Sequence, residues 1–130
     1  MIEIYTDGAS MGNPGKSGAG IYIKAGKITH SHAIPLEEMS NHEAEFNAVS
    51  LALDICKEHY PGEIISIRSD SRTVVDIMDK GTTKNPSFQP LLEAIEQKVG
   101  LFTHCFIKWI PSKENTHADQ LAKQAIHEQS

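Results

Sequence analysis

The chain is poor in cysteine and has no long apolar run. Its two cysteines, Cys56 and Cys105, lack the spacing of a zinc site. Two unclustered cysteines in a chain of this size indicate reduced thiols, so the expected compartment is the cytoplasm. No apolar run is as long as a membrane span, and no basic stretch before an apolar core marks a signal peptide.

Positive charge is also scarce, because 12 Lys and Arg residues face 17 Asp and Glu residues and give a net charge of −5. Broad nucleic-acid binders are usually basic, so this charge argues against a general affinity for nucleic acid. Trp109 is the single tryptophan, and we expect it to pack in a sheet rather than to stack on bases. The hydrophobic content of 39% fits one globular domain over residues 1–130 with a core of its own.

The segment "TDGASMGNPGKS", Thr6 to Ser17, poses a choice between a phosphate site and a metal site. It ends like a phosphate-binding P-loop, but that motif needs a glycine five residues before Gly15, where Ser10 stands. The residues that follow alternate between apolar and polar and predict a strand, whereas a P-loop leads into a helix. We therefore reject the P-loop, and "GNPG" predicts a tight hairpin turn.

The order of predicted elements defines the fold class. Residues 2–7, 19–25 and 27–34 predict three strands with short links, which is typical of an antiparallel meander. Ser40 and Glu43 have the spacing of a capping box at the start of a helix over residues 43–58. The later segments predict strands over 63–70 and 103–110 and helices over 71–81, 87–100 and 116–129. The result is an α/β fold with a five-stranded mixed sheet, three antiparallel strands then two parallel, and helices on both faces.

Glu45 lies at the centre of the apolar face of the first predicted helix. On a helical wheel its neighbours are apolar, namely Ala48, Val49, Ala52 and Cys56. A buried ionised carboxylate is costly unless it is paired or binds a metal. The alternative is a protonated glutamate, or one paired with a lysine or arginine near the positive end of the helix.

Three more acids stand where they can join Glu45. Asp7 and Asp70 end predicted strands, and Asp119 borders the apolar arc of the last helix. Each has an ordinary alternative, a turn residue for Asp7, an N-cap for Asp70 and a border acid for Asp119. Four carboxylates together would suit Mg²⁺ or Mn²⁺. Two such ions about 4 Å apart can activate a water and stabilise the leaving oxygen in phosphodiester hydrolysis. Without these four acids the charge of −5 becomes −1, so a nucleic-acid substrate is not excluded.

Four blocks of the sequence resemble the type I ribonuclease H family, in the family's order and over nearly the whole chain: "YTDGASMGNPG", "SNHEAEFNAVSLAL", "SDS" and "ENTHADQLA". The resemblance implies a ribonuclease H-like fold and an endonuclease that cuts the RNA strand of RNA–DNA hybrids. It implies a cofactor of two Mg²⁺ or Mn²⁺ ions, a hybrid as partner, no membrane and a monomer. The implied catalytic and metal-binding residues are Asp7, Glu45, Asp70 and Asp119.

The resemblance also implies contacts with the substrate. The glycine-rich turn after Asp7 would meet the RNA minor groove, and the polar tract before Glu45 would read 2′-hydroxyls. A residue shortly after Asp70 would contact the nucleic-acid backbone. A residue one helical turn before Asp119 would also contact the substrate, although it can equally be the N-cap of the last helix. In order, these residues are Gly12 and Asn13, then Ser40, Asn41 and His42, then Arg72, then Asn115.

The chain departs from the family's pattern in three places. The loop "PSKEN" has no histidine where many members carry one, and Lys113 and Glu114 are the candidates to replace it. The segment "DKGTTKNP" stands in place of a basic, tryptophan-rich protrusion, and His42 stands where an amide is common. These losses favour one competing interpretation, a weak or inactive nucleic-acid-binding module. A third interpretation is another metal-dependent phosphotransfer enzyme or an acidic-pocket signalling domain.

Overall fold

The computed structural model describes residues 1–129 and contains one five-stranded sheet. In space its strands run in the order β3-β2-β1-β4-β5. β1 pairs antiparallel with β2, and β2 with β3, whereas β1 with β4 and β4 with β5 are parallel. The predicted mixed sheet is therefore confirmed. The strands are β1 Ile2–Ser10, β2 Gly15–Ala25, β3 Ile28–Met39, β4 Ile64–Ser69 and β5 His104–Trp109.

Four helices lie on the two faces of the sheet: α1 Asn41–His59, α2 Arg72–Lys80, α3 Gln89–Val99 and α4 Thr116–His127. Gly8 of β1 contacts α1, while Gly20 of β2 contacts α4. Gly8 pairs with Ala19, so these two residues face the same side of the sheet. Gly20 follows Ala19 and faces the other side, because successive residues of a strand alternate. The two glycines therefore face opposite sides of the sheet, so α1 and α4 cover different faces, as predicted.

The first hairpin is longer than the sequence pattern indicates. Pairing between β1 and β2 continues to Ser10 and Ser17, beyond the predicted ends at residues 7 and 19. β3 continues to Met39 rather than to residue 34, since backbone pairing with β2 extends past Pro35. A turn at residues 11–14 joins β1 to β2. β2 is a strand, which agrees with the rejection of the P-loop.

A local capping motif sets the start of α1, and apolar packing determines which side of the helix lies against the sheet. The capping box is present, because Glu43 N donates to Ser40 Oγ (3.2 Å) and Ser40 N donates to Glu43 Oε1 (3.0 Å). The helix buries Phe46 and Leu53 in the main core, against apolar residues of the three central strands. Burying a side chain of this size contributes about 1.5–3 kcal/mol. Such packing holds the helix that carries Glu45 against the sheet.

Both cysteines are free thiols, with Cys56 buried and Cys105 half-buried. Burial raises the pKa of Cys56 to about 12 and that of Cys105 to about 11. Protonated thiols of this kind are weak nucleophiles, so neither cysteine has the low pKa of a reactive thiol. Among residues 1–129, no helix combines the length and apolarity that a membrane crossing requires.

Candidate active site

Asp7 and Asp70 lie side by side because their strands are parallel neighbours. Thr6 of β1 pairs with Ser69 of β4, so the next residue of each chain segment reaches the same edge of the sheet. Glu45 comes to the same place from α1. Ligand oxygens of Asp7, Glu45 and Asp70 all lie within 4.8 Å of one another. The structure therefore brings together three of the four predicted carboxylates.

Gly8 allows Glu45 to approach Asp7. The backbone N–H of Gly8 donates to Glu45 Oε1 at 2.5 Å. A Cβ on Gly8 would overlap the carbonyl group of Ala44 and the backbone nitrogen of Glu45, so only glycine permits this contact between strand and helix. Among residues 1–129, no lysine or arginine forms an ion pair with Glu45. The paired-glutamate alternative is therefore wrong for this structure.

Asp119 lies near the three carboxylates but is not part of their tight group. It stands in the first turn of α4, where its Oδ2 accepts from Lys123 Nζ at 2.9 Å. Gly20, which pairs with Asp7, lets α4 pack closely, since a Cβ there would overlap the Ala118 carbonyl. The charge of Asp119 raises the pKa of Asp7. It is therefore close enough to act on the site through its field.

The electrostatics of the three carboxylates suit a cation. Burial is the main cause that raises the pKa of Asp7, and the negative charges of Glu45 and Asp70 raise it further. Burial also raises the pKa of Glu45, against the hydrogen bond from Gly8. An all-oxygen set of this kind matches the preference of Mg²⁺ and Mn²⁺. A bound cation would replace protons that the metal-free site retains.

Ser71, not Asp70, is the N-cap of α2, because Val74 N donates to Ser71 Oγ at 3.3 Å. The N-cap alternative for Asp70 is therefore wrong. Trp109, at the end of β5, donates from Nε1 to the carbonyl of Asp70 at 3.1 Å. The guanidinium of Arg72 lies 3.9 Å from the centre of the Trp109 ring.

Sequence reasoning missed this role for Trp109. The signal was its place as the only tryptophan at the end of a strand that follows the "SDS" block, but the pairing of β4 with β5 was needed to interpret it. The expected packing role holds in part, since the ring is half-buried.

Most residues predicted to contact the substrate flank the carboxylates on the side of α1. Gly12 and Asn13 lie in the exposed turn after β1, and Asn41 and His42 are exposed at the start of α1. These two segments are neighbours, because Ser10 Oγ donates to the Met39 carbonyl at 2.7 Å. The Ser40 hydroxyl already accepts the capping hydrogen bond. Its role in substrate binding, like that of the others, stays a prediction.

Asn115 stands at the N-cap position of α4, as one of its two predicted roles requires, but its side chain bonds elsewhere. It is 1% exposed, and its Nδ2 donates to the Thr6 carbonyl at 2.9 Å. It occupies the N-cap position of α4, but within the described part of the chain its side chain makes no capping hydrogen bond. The side chain instead ties the start of α4 to β1, next to Asp7. Direct contact with a substrate stays a prediction.

Comparison with known proteins identifies relatives over the whole chain. The family model described as RNase H matches residues 1–127. EbsB of Enterococcus faecalis is 38% identical over 128 residues, which cover 97% of this chain and 94% of that protein. The bifunctional protein Rv2228c of Mycobacterium tuberculosis is 29% identical, and the match covers 96% of this chain and 35% of that protein. The chain thus spans about a third of the mycobacterial relative.

A solved structure agrees with the sequence comparisons. LC11-RNase H1 in complex with an RNA/DNA hybrid superposes with a TM-score of 0.91 at 27% identity, and the match covers 98% of both chains. Fold and sequence therefore lead to the same family.

Proposed function

Because the chain is an enzyme of the RNase H family, we propose that it is a metal-dependent endonuclease that hydrolyses the RNA strand of RNA–DNA hybrids. The observation that carries this proposal is the convergence of Asp7, Glu45 and Asp70 at one edge of the sheet. Three carboxylates this close together without a basic partner must either keep protons or bind a cation, and their all-oxygen set suits a divalent cation. The similar LC11-RNase H1 binds a hybrid, which supports the same substrate class here.

In this proposal Asp7, Glu45, Asp70 and Asp119 hold two Mg²⁺ or Mn²⁺ ions. When bound, such ions activate a water for attack on the phosphodiester and stabilise the leaving oxygen. The chain's own contribution is to position the ligands. The N–H of Gly8 orients Glu45, Trp109 fixes the backbone of Asp70, and Lys123 holds Asp119 at the rim. Asp119 would turn from Lys123 towards the ions.

Substrate contacts in this proposal come from the exposed segments beside the carboxylates. Gly12, Asn13, Asn41 and His42 offer backbone and side-chain groups to the RNA strand, where 2′-hydroxyls distinguish RNA from DNA. Ser40 contributes through the same segment. Arg72 is exposed next to Asp70, so its charge is available to a phosphate. Asn115 would act indirectly, through its hydrogen bond to the Thr6 carbonyl of β1.

The second candidate function is a weak or inactive hybrid-binding module. It is favoured by the loop before α4, a short 3-10 turn at Ser112–Glu114 without a histidine. It is also favoured by the short segment of residues 81–88 between α2 and α3, which contains Lys84 but no tryptophan.

The main proposal also includes a single domain over residues 1–130, a monomeric state and a cytoplasmic location.

The test is cleavage of a labelled RNA–DNA hybrid at low salt, with Mg²⁺ and Mn²⁺ in separate reactions. We expect the RNA strand to be cut and Asp70→Asn to reduce the rate about a thousandfold, because a lost ligand removes several kcal/mol of transition-state stabilisation. Asp76→Asn, on the exposed face of α2, removes the same charge away from the site and should cut normally. A folded protein that cuts with neither metal would leave the binding module as the function.

A further inference from the structure

A row of cationic and aromatic side chains crosses the sheet on the face of α4. Strand register places Lys108 of β5 beside Arg68 of β4, Arg68 beside Tyr5 of β1, and Tyr5 beside Tyr22 of β2. The centres of the Tyr22 ring and the His117 ring of α4 lie 3.9 Å apart in a stacked arrangement. The row therefore lies on the face of the sheet that α4 covers. Since strands are about 4.8 Å apart, the row extends for about 14 Å.

Two cavities follow this row under the start of α4. One of 210 Å³ is lined by Tyr5, Tyr22 and Lys24, and one of 120 Å³ by Tyr5, Arg68 and Lys108. Both cavities also contain Glu114 in their walls. The two cavities are adjacent, because they share Tyr5 and Glu114 in their walls, and together we name them the α4 groove.

The α4 groove is positive in an otherwise acidic chain. Lys24, Arg68 and Lys108 contribute three positive charges, against Glu3, which pairs with Arg68, and Glu114. The whole chain has a net charge of −5. Beside the groove on β5, Phe106 is 52% exposed. Phe106 stands two residues before Lys108 on the same face of β5, and a cation beside an open aromatic ring is typical of surfaces that bind single-stranded nucleic acid.

The α4 groove leads directly from the carboxylates. Tyr5 stands two residues before Asp7 on β1, and Arg68 lies near the end of β4, which Asp70 follows. Residues two apart on a strand share a face and lie about 7 Å apart. A nucleic-acid strand that leaves the carboxylate site on this side would therefore enter the groove.

Each cavity also includes a residue with an unused polar atom. Arg68 Nε, a donor, and Asn115 Oδ1, an acceptor, are buried and have no hydrogen-bond partner among residues 1–129. Arg68 lines the smaller cavity and Asn115 the larger one. Buried polar groups are normally hydrogen-bonded. Arg68 Nε lacks an acceptor and Asn115 Oδ1 lacks a donor, but neither atom is exposed to the cavities, so a ligand would reach them only after these side chains turn.

We propose that the α4 groove binds a single-stranded nucleic-acid segment, with its phosphates on Lys24, Arg68 and Lys108 and a base against the exposed ring of Phe106. The inference rests on the proposed function, because the natural occupant is a single-stranded extension of the cleaved hybrid. An acidic peptide would use the cations but not the exposed ring of Phe106. The arrangement therefore favours nucleic acid.

The first test is binding of a fluorescent single-stranded 12-mer DNA, which an RNA-cleaving enzyme leaves intact, measured by anisotropy at several salt concentrations. Three phosphate contacts predict a slope of about −2 for log affinity against log salt. Lys24→Glu and Lys108→Glu should each weaken binding about fivefold or more, because each turns an attraction for phosphate into repulsion. Lys57→Glu, the same change on the exposed surface of α1, should leave binding within twofold.

The second test separates the groove from the hybrid site by comparing cleavage of a blunt hybrid and a hybrid with a single-stranded DNA tail. Lys108→Glu should raise KM for the tailed hybrid and leave the blunt one unchanged. Equal losses on both substrates, equal binding of a fluorescent polyglutamate peptide, or an equal effect of Lys57→Glu would overturn the groove. Cleavage of the blunt hybrid without binding of the 12-mer would reject the groove alone. Binding of the 12-mer without cleavage would reject the proposed function alone.

Discussion

Trp109 connects two candidate site residues through one side chain. Its indole N–H holds the backbone of Asp70, and its ring supports the guanidinium of Arg72. A ligand whose backbone is fixed loses less freedom when it binds a cation, so groups behind the ligands affect metal affinity. In the proposed function Trp109 would therefore be a positioning residue.

Replacing Trp109 with Phe should weaken Mg²⁺ binding about tenfold, because the donor to the Asp70 carbonyl is lost while most of the ring stays. The free energy of unfolding should fall by only about 1 kcal/mol, the value of one hydrogen bond. Isothermal titration with Mg²⁺, beside a denaturant melt, measures both. Phe106→Leu, at an exposed position of the same strand, is the control for aromatic loss. Unchanged Mg²⁺ affinity in Trp109→Phe would show that the hydrogen bond has no role in the site.

At the scale of single residues, the sequence indicates the carboxylates better than their supports. Glu45 is conspicuous because a charge interrupts an apolar helical face, and Asp7 and Asp70 because the sequence pattern places them at strand ends, although β1 in fact continues to Ser10. Asp119 gives a weaker signal, and the structure accordingly places it at the rim. Asn115 could not be interpreted, since its partner, the Thr6 carbonyl, is 109 residues away. Contacts of that range depend on the assembled sheet.

At the scale of elements, two glycines determine how closely the helices approach the strands. Gly8, the residue after Asp7, admits α1, and Gly20, the cross-strand partner of Asp7, admits α4. The sequence predicted the existence and order of the elements, because periodicity and caps are local. The observed ends of the strands differ from the predicted ones where pairing with a neighbouring strand determines the length. One example is β3, which continues through Pro35 to Met39.

Gly8→Ala should therefore damage both stability and catalysis. The new Cβ would overlap the backbone of Ala44 and push α1 away from β1, at a cost of about 1–3 kcal/mol, typical of overpacking. Glu45 would move with the helix, so hybrid cleavage should fall by more than tenfold. Gly100→Ala, where the nearest atom is 3.9 Å from the new Cβ, should leave both unchanged. Thermal melts and initial rates measure the pair, and normal cleavage by Gly8→Ala would refute the argument.

At the scale of the whole molecule, the metal-free protein carries an electrostatic cost at its centre. The folded state raises the pKa of Asp7 and Glu45, so it retains protons that the unfolded chain releases near pH 4. The stability that these groups contribute is therefore complete below pH 4 and is lost as pH rises towards their folded values. A bound cation removes this loss by replacing the protons.

Asp7→Asn should make the metal-free protein more stable than the wild type, and the difference should grow from pH 5 to pH 8. At pH 8 we expect its Tm to be higher by at least about 3 °C, equivalent to about 1 kcal/mol for a chain of this size. Mg²⁺ should raise the Tm of the wild type and not that of the variant. Scanning calorimetry at both pH values, with Asp76→Asn as control, measures these differences. A difference independent of pH would exclude the carboxylate cluster as its cause.

The long outer strand β3 also bears on how two copies of the protein meet. An outer strand presents unpaired backbone groups to which another chain can add a strand of its own. β3 contains Pro35, which lacks a backbone donor, and carries Glu37 and Glu38 near its end. A proline and repeated negative charges interrupt the regular ladder that such an addition needs. The β3 edge of the sheet is therefore a poor template for the addition of a strand from another copy.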